Sequence, residues 1–340
     1  MSIQIERDVP LAPFTTIGIG GPARFFIHVT SVDELREALA YAARERQPVF
    51  ILGGGSNLLI ADEGFDGVVI RIDLRGIEAR DGVVRVAAGE PWDDFVALAV
   101  ARDLAGIECL SGIPGLTGAT PIQNVGAYGQ DVSETIDGVE ALDRTTGGIV
   151  EFTNEQCRFG YRSSLFKNIE KDRYVILSVT FRLTPGGAAS VRYPELQKYL
   201  GDERALDKVR EAVIAIRRRK GMVLDPSDPD TRSDGSFFMN PLITAAEYES
   251  FAKLAPDAPH YPANDGTVKL SAAWLIEHAG FQKGFVHGNA GLSSKHTLAV
   301  INRGNATAGE VIDLVRLVQE RVRAAFAVDI HPEPNFIGFC

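Results

Sequence analysis

The sequence has few cysteines and no long apolar run. Only three of its 340 residues are cysteine, at positions 109, 157 and 340, and none belongs to a CxxC pair. This excludes a disulfide framework and the usual zinc-ligand spacing, and it favours a reducing compartment. Because no 18-residue apolar run exists, the sequence predicts no transmembrane helix. The first residues lack a basic segment followed by an apolar one, so we expect no signal peptide and a cytoplasmic protein.

An excess of basic charge is also absent. The chain has 35 Lys and Arg against 45 Asp and Glu, a formal net charge of −10. Binding of nucleic acid depends on a basic surface, so we expect no nucleic-acid partner, and no membrane partner either. The histidines show no metal-ligand spacing, which predicts no metal site. No exposed apolar stripe stands out, which favours a monomer, and the length predicts two or three domains of roughly 150 residues each.

Two glycine segments are the most distinctive feature that is present. Residues 109–130, CLSGIPGLTGATPIQNVGAYGQ, contain five glycines and no charged residue, and residues 53–57 read GGGSN between two apolar runs. Glycine lets the backbone approach a ligand closely, and successive main-chain amides bind phosphate oxygens. Leu58 occupies the third glycine position of G-x-G-x-x-G, so the Rossmann fingerprint is absent, and no P-loop motif occurs. Tight turns alone could explain either segment, but two of them in one region favour a flavin dinucleotide.

Strand and helix patterns are intermixed along the chain, which predicts an α+β fold. We expect strands at residues 49–52, 67–72, 82–88, 138–142 and 174–183. We expect helices after the capping box at 31–34, from Pro91 through Leu104, at 205–220, and after the capping boxes at 244–247 and 307–310. The tail, residues 329–340, is expected to pack back as an extended segment.

Five motifs occur in a fixed order: LGGGSNLLI at 52–60, SGIPGLTGATPIQNVGAYGQ at 111–130, FGYRSSLFK at 159–167, GSFFMNP at 235–241 and HPEPNFIG at 331–338. Together they resemble the UDP-N-acetylenolpyruvoylglucosamine reductase family, flavoenzymes of peptidoglycan precursor synthesis. The resemblance implies a two-domain FAD-binding fold of the vanillyl-alcohol-oxidase-like (PCMH) type with a third α+β substrate-binding domain. It implies FAD-binding subdomain 1 at 1–73 with the tail 334–340, FAD-binding subdomain 2 at 74–215, and the substrate-binding domain at 222–330.

The resemblance also implies a reaction and its cofactors. NADPH would reduce FAD, and the enolpyruvyl ether of UDP-N-acetylglucosamine enolpyruvate, a small-molecule substrate, would then become the lactyl ether of UDP-N-acetylmuramate. Negative charge develops on the carbon next to the substrate carboxylate, and that carbon must be protonated. The residues implied in FAD binding lie in the two glycine segments: Gly53, Gly54, Gly55, Ser56, Asn57, Leu58, Ile113, Pro114, Gly115, Thr117, Gly118, Ala119, Gln123, Asn124, Gly126 and Ala127.

Three residues match the catalytic positions of the family. Arg162 matches the arginine at the substrate carboxylate, which a guanidinium fork binds bidentately. Glu333 matches the glutamate beside the same group, where a carboxyl that keeps its proton can donate a hydrogen bond to the enolate. Ser236 matches the proton donor, and a weak acid suffices because the carbanion is a strong base. Without the motifs, they would be interpreted as an ion pair, an exposed tail residue and a loop hydroxyl.

Tyr193, Lys220 and Asn240 resemble the family's substrate contacts. Alternatives remain for each: a core aromatic residue, a cation at a helix C-terminus, and an amide that satisfies loop backbone. The chain departs from the family pattern in the long acidic loop at 225–234, at Met239 and at His296. Two other functions remain open, a FAD-dependent sugar or alcohol oxidase of the same fold and a nucleotide-sugar binding module without activity.

Overall fold

The computed structural model of the chain describes residues 3–263 and 266–339. Cys340 and residues 1–2 and 264–265, which belong to the predicted tail and domains, lie outside the described residues. The chain divides into two compact units. The first comprises Met1–Val9, Ala23–Gly54 and Asp66–Val223, and the second comprises Pro10–Pro22, Gly55–Phe65 and Leu224–Cys340. The three predicted domain boundaries stay predictions.

The strands are short and numerous. In chain order they are β1 Ile5–Pro10, β2 Pro22–Val29, β3 Val49–Leu52, β4 Leu58–Ile60, β5 Phe65–Ile72, β6 Ile77–Arg80, β7 Val83–Ala87, β8 Leu104–Ala105, β9 Gly126–Ala127, β10 Gln130–Asp131, β11 Ile136–Asp143, β12 Ile149–Thr153, β13 Tyr174–Arg182, β14 Thr184–Pro185, β15 Leu242–Ile243, β16 His260–Pro262, β17 Val268–Leu270, β18 Val286–His287, β19 Ala290–Leu292, β20 Val300–Asn302 and β21 Asn335–Ile337. The predicted strands are therefore confirmed, with ends shifted by one or two residues.

The α-helices are α1 Val32–Arg44, α2 Trp92–Ala101, α3 Pro194–Leu200, α4 Leu206–Arg219, α5 Ala245–Leu254, α6 Ala272–His278 and α7 Ala308–Phe326. Side chains cap the starts of α1, α5, α6 and α7, whereas α2, α3 and α4 begin without a side-chain cap. Thr244 and Thr307 each accept a hydrogen bond from the amide three residues on, and the glutamate there bonds back to the cap. Two of the three predicted capping boxes are confirmed, and each satisfies two amides that the first helical turn leaves unpaired. At the third, Ser31 accepts a hydrogen bond from the amide of Glu34, but the Glu34 carboxylate accepts from the amide and hydroxyl of Thr30.

One predicted helix end is wrong. The helix from Pro91 was expected to reach Leu104, but α2 ends at Ala101 and Leu104 begins the short strand β8. Asp103 has a φ of 54°, in the left-handed region, which the helix cannot include. The segment that suggested a longer helix instead pairs antiparallel with β14.

The first unit contains a four-stranded sheet, β1-β2-β5-β3, and a five-stranded sheet, β12-β11-β13-β7-β6. The five-stranded sheet is antiparallel throughout, and its central strand β13 is buried along most of its length. Trp92, Phe95 and Phe181 pack at ring-centroid distances of 5.1 to 5.8 Å between this sheet and α2. A second apolar cluster surrounds α3 and α4. These cores hold the glycine segments described below.

The second unit is built on α7 and three small sheets, β15-β17-β16, β18-β19-β20 and β21-β4. The helix predicted after the capping box at 307–310 is confirmed as α7, and its apolar face is buried: Val311, Leu314, Val315, Val318, Val322 and Phe326. The tail strand β21 runs parallel to β4, with Asn335 opposite Leu58. The extended tail is thereby confirmed, and it places the last motif of the chain beside the end of the first glycine segment.

Candidate active site

In the first unit the two glycine segments touch backbone to backbone. A Cβ atom on Gly54 would lie 2.6 Å from the Cα of Gly115, closer than any side chain permits. A Cβ atom on the neighbouring Gly53 would meet nothing within 4 Å. One glycine thus allows the segments to meet, and the other exposes bare backbone to open space. Bare, uncharged backbone beside open space is what a large dinucleotide needs in order to approach main-chain groups.

Part of the second glycine segment uses its amides within the protein. The amide of Thr117 donates to the carbonyl of Glu90 at 2.8 Å, and that of Gly118 donates to the carbonyl of Ala88 at 2.9 Å. A Cβ atom on Gly118 would lie 2.5 Å from the Cβ of Ala88. These two amides therefore attach the segment to the end of β7, whereas the sequence suggested that the glycine segments present free amides to phosphate oxygens.

A charged network that the sequence did not reveal holds the start of this segment. Asp93 accepts hydrogen bonds from the amide of Gly112 at 2.5 Å and from both terminal nitrogens of Arg210, at 2.6 and 2.9 Å. Burial alone would raise the pKa of Asp93, but these hydrogen bonds and the charge of Arg210 hold it below its usual value. Arg217 is half-buried and donates to the carbonyls of Gly112 and Met222. The basic end of α4 was the available signal, but the sequence did not indicate these partners.

Arg162 is fixed to the second glycine segment. Its φ of 50° is left-handed, and a π-helical turn, Leu165–Ile169, follows it. The guanidinium donates to the carbonyl of Gly126 at 2.7 Å and to that of Asn124 at 3.4 Å. The side-chain amide of Asn124 in turn donates to the carbonyl of Gly160 at 3.0 Å. Arg162, which is predicted to bind the substrate carboxylate, is thus adjacent to residues that are predicted to bind the cofactor. The hydrogen bond from the Asn124 side chain to Gly160 helps to hold the two segments together.

Two of the predicted substrate residues also meet at the glycine segment. The rings of Tyr193 and Tyr128 are edge to face with centroids 5.4 Å apart. The ammonium nitrogen of Lys220 lies 6.0 Å from the Tyr128 centroid and 2.5 Å from a carboxylate oxygen of Glu195. Burial raises the pKa of Tyr128 to about 12, so its hydroxyl stays protonated. Tyr193 is 40 % exposed, which argues against the alternative of a core aromatic residue.

The second unit brings the other predicted residues together. The amide of Glu333 donates to the carbonyl of Phe237 at 2.8 Å, so Glu333 lies against the strand-like stretch that carries Ser236. The side chain of Asn57 donates to the carbonyl of Glu333 at 3.4 Å. Within the described residues the half-buried hydroxyl of Ser236 makes no hydrogen bond. Two predicted catalytic residues and the end of the first glycine segment therefore share one small region.

Asn240 lies in the second unit and bonds to backbone. Its side-chain oxygen accepts a hydrogen bond from the amide of Ala272, the first residue of α6, at 2.9 Å. This is the loop-satisfying arrangement that the sequence left open as an alternative. Arg162, Tyr193 and Lys220 lie in the first unit, and Ser236, Glu333 and Asn240 lie in the second.

Two further searches bear on the class of protein. Across residues 3–263 and 266–339, no group of three or more His, Cys, Asp or Glu side chains is placed to hold a metal ion. In the same described part of the chain, none of the helices is both long and apolar enough to cross a membrane.

Comparisons with known proteins agree with this geometry. Residues 23–153 match the family model described as FAD binding domain, and residues 226–337 match that of the UDP-N-acetylenolpyruvoylglucosamine reductase C-terminal domain. The chain is similar to the UDP-N-acetylenolpyruvoylglucosamine reductase of Thermobifida fusca, with 49 % identity over 99 % of each chain. The reductase of Cutibacterium acnes is 48 % identical over 98 % of this chain and 90 % of its own.

Among solved structures, the UDP-N-acetylenolpyruvylglucosamine reductase of Thermus caldophilus matches with a TM-score of 0.69 and 27 % identity, covering 98 % of this chain and 99 % of that one. The predicted α+β flavin-binding fold is confirmed, and the alternative of a sugar or alcohol oxidase is not favoured. The chain therefore belongs to the UDP-N-acetylenolpyruvoylglucosamine reductase family and is a FAD-dependent oxidoreductase.

Proposed function

We propose that this chain reduces UDP-N-acetylglucosamine enolpyruvate to UDP-N-acetylmuramate with NADPH as reductant, in peptidoglycan precursor synthesis. The observation that carries the proposal is the cluster in the second unit, where Ser236 and Glu333 lie beside Asn57 at the end of a glycine segment. A proton donor and an enolate-stabilising carboxyl next to a cofactor-binding segment are what this reduction requires.

The residues present fit FAD. In the first unit, the open face of Gly53 and the contact of Gly54 with Gly115 make an uncharged backbone wall. In the second unit, Ser56 and Asn57 carry side-chain hydrogen-bonding groups. We assign to FAD binding the residues of the two glycine segments that the sequence analysis named. The amides of Thr117 and Gly118 and the side chain of Asn124 donate to protein carbonyls, so these groups position the backbone and do not donate to FAD. When bound, FAD supplies the hydride carrier between NADPH and the substrate.

Arg162 binds the substrate carboxylate in this proposal. Its guanidinium keeps a permanent positive charge, and the carbonyls of Gly126 and Asn124 fix its orientation. A planar cation held in this way stabilises the dianionic enolate more than the substrate monoanion, because the negative charge grows beside it. The interaction therefore lowers the barrier as well as binding the substrate.

Ser236 donates a proton to the carbon that gains negative charge, and Glu333 donates a hydrogen bond to the enolate. The Ser236 hydroxyl is half-buried, and its main chain is fixed by the bond from Phe237 to Leu298 at 2.7 Å. A hydroxyl carried on a fixed stretch of main chain, and not used in a hydrogen bond among the described residues, is available to act as a general acid. The serine regains a proton from solvent after each turnover.

Lys220 and Tyr193 bind the UDP part of the substrate. Lys220 is a point charge suited to a diphosphate, and it is held near Tyr128 and Tyr193 by Glu195. We also assign Asn240 to substrate binding, and its side-chain oxygen accepts a hydrogen bond from the amide of Ala272.

A three-step absorbance experiment tests the proposal. The purified protein is expected to bind FAD and become yellow, to lose its 450-nm-region absorbance on anaerobic addition of NADPH, and to recover it when UDP-N-acetylglucosamine enolpyruvate is added. Recovery with oxygen but not with the enolpyruvyl sugar would support the oxidase instead. A protein that binds UDP sugars without any change in flavin absorbance would support a binding module.

A further inference from the structure

A carboxyl group that the sequence did not single out lies two residues before Ser236. Asp234 is 7 % exposed. Its Oδ1 atom accepts a hydrogen bond from the hydroxyl of Thr16 at 3.2 Å. Its Oδ2 atom is buried and, among the described residues, makes no hydrogen bond. A buried carboxylate with so few hydrogen bonds is costly, so this group is placed in a way that requires an explanation.

Thr16 links this carboxyl to the first glycine segment. The same hydroxyl donates to the carbonyl of Ser233 at 2.7 Å, and the amide of Thr16 donates to the carbonyl of Gly55 at 3.0 Å. The amide of Leu58 also interacts with the Asp234 carboxyl. All of these residues belong to the second unit. The Asp234 side chain therefore lies where three segments meet. They are residues 233–236, called here the Ser236 turn, the segment that contains Thr16, and the end of the first glycine segment.

The surroundings favour the protonated form of Asp234. Burial raises its pKa from 3.8 to about 8, against smaller lowering effects of the Thr16 hydroxyl and the Leu58 amide. Ionisable side chains on the segments packed against it are Arg232, Asp62 and Glu333. None of these contributes to the shift, and Asp62 instead accepts from the first two amides of α7, at 2.8 and 3.1 Å.

We propose that neutral Asp234 is a positioning residue, which holds the Ser236 turn against the end of the first glycine segment, and that its ionisation releases this turn. The proposal rests on the proposed role of Ser236. Ionisation would leave a charge on Oδ2, which makes no hydrogen bond among the described residues, and the carboxylate would move toward water. Because Ser236 follows after a single glycine, such a movement displaces the hydroxyl that delivers the proton.

The consequence is a pH effect on one half-reaction only. Below pH 8 Asp234 is neutral and the Ser236 turn is fixed, so reoxidation of the reduced flavin by enolpyruvyl substrate is fast. Above that pH the reoxidation rate falls tenfold per pH unit, in proportion to the protonated fraction. Reduction of the flavin by NADPH does not use Ser236, so its rate does not follow this titration.

The test uses Asp234→Asn in the FAD-loaded protein, because asparagine has nearly the same shape and no charge. The matched control is Asp230→Asn, in the same loop, whose carboxylate is buried but accepts from the amide and the hydroxyl of Ser294. Single-turnover reoxidation is measured from pH 6 to 10. We expect the alkaline decline in wild type and in the control, and its absence in Asp234→Asn. Thr16→Val removes a bond that lowers the pKa and should move the decline to higher pH.

The temperature of thermal unfolding reports on the protonation of Asp234 without any measurement of flavin reoxidation. A folded-state pKa above the unfolded one stabilises the protein at low pH, and this contribution is lost as pH rises from about 4 to about 8. The unfolding temperature of Asp234→Asn relative to wild type should therefore rise over that interval and level off above it. A pH-independent difference, or an alkaline decline that persists in Asp234→Asn, overturns the proposal. Reoxidation absent in wild type at every pH instead refutes the proposed function, and the unfolding data still decide the state of Asp234.

Discussion

Alanine substitutions at two adjacent glycines, Gly53 and Gly54, are expected to have separate effects on FAD affinity and on the stability of the fold. Neither Gly53 nor Gly54 has a positive φ, so alanine fits the backbone at both positions. At Gly54 the added methyl would lie 2.6 Å from the Cα of Gly115 and 3.0 Å from its carbonyl carbon. These are backbone atoms that cannot rotate away, so we expect a loss of about 3 kcal/mol in the free energy of unfolding, at the upper end of overpacking effects.

At Gly53 the same methyl meets no protein atom within 4 Å. The protein without cofactor should be as stable as wild type, or more stable by about 0.4–1 kcal/mol because alanine restricts the unfolded chain. If FAD lies against this open face, the methyl occupies its place. We then expect the dissociation constant of FAD to increase at least tenfold, which corresponds to about 1.4 kcal/mol.

The assay is a paired measurement on each variant. Urea unfolding of the deflavinated protein gives stability, and quenching of FAD fluorescence on titration gives affinity. The expected pattern is a stable Gly53→Ala variant with weak FAD binding and an unstable Gly54→Ala variant. Gly53→Ala with wild-type affinity would show that the cofactor does not contact this face, and a fully stable Gly54→Ala would show that the two glycine segments do not meet as described.

Further predictions concern charged side chains. Arg162→Lys keeps the charge but not the two-pronged geometry, so kcat/KM for the enolpyruvyl substrate should fall by about 30- to 160-fold in steady-state kinetics, which corresponds to about 2–3 kcal/mol; an unchanged value would contradict carboxylate binding by this residue. Glu195→Gln removes the anion paired with Lys220, so calorimetry should show UDP binding up to about fivefold tighter, as expected for an exposed pair; weaker binding would mean that Glu195 helps to hold the nucleotide. Asp62→Ala leaves two amides at the start of α7 unsatisfied and should lower the free energy of unfolding by about 1–2 kcal/mol in urea titrations; no change would mean that water replaces the carboxylate.

Local features of this protein could be predicted from its sequence because the relevant forces act over a few residues. The capping boxes at Thr244 and Thr307, the buried face of α7 and the strand at 174–182 each depend on neighbours in the chain. The glycine segments were also recognisable, since glycine without charge over such a length has few other uses. Their contact at Gly54 and Gly115 was not predictable from either segment alone.

The features that escaped prediction depend on partners distant in the chain. Thr16 and Asp234 are separated by 218 residues, and Asp93 and Arg210 by 117. No local pattern distinguishes such residues from surface charges, because their environment exists only after folding. For the same reason, the acidic loop at 225–234 gave no signal that Asp234 is buried in the folded protein.

The proton-donor role of Ser236 is the central claim, and its most direct test is stopped-flow spectroscopy on Ser236→Ala. We expect FAD reduction by NADPH to proceed near the wild-type rate, while reoxidation by UDP-N-acetylglucosamine enolpyruvate slows by several orders of magnitude. Equal reoxidation rates in the variant and the wild type would contradict the account.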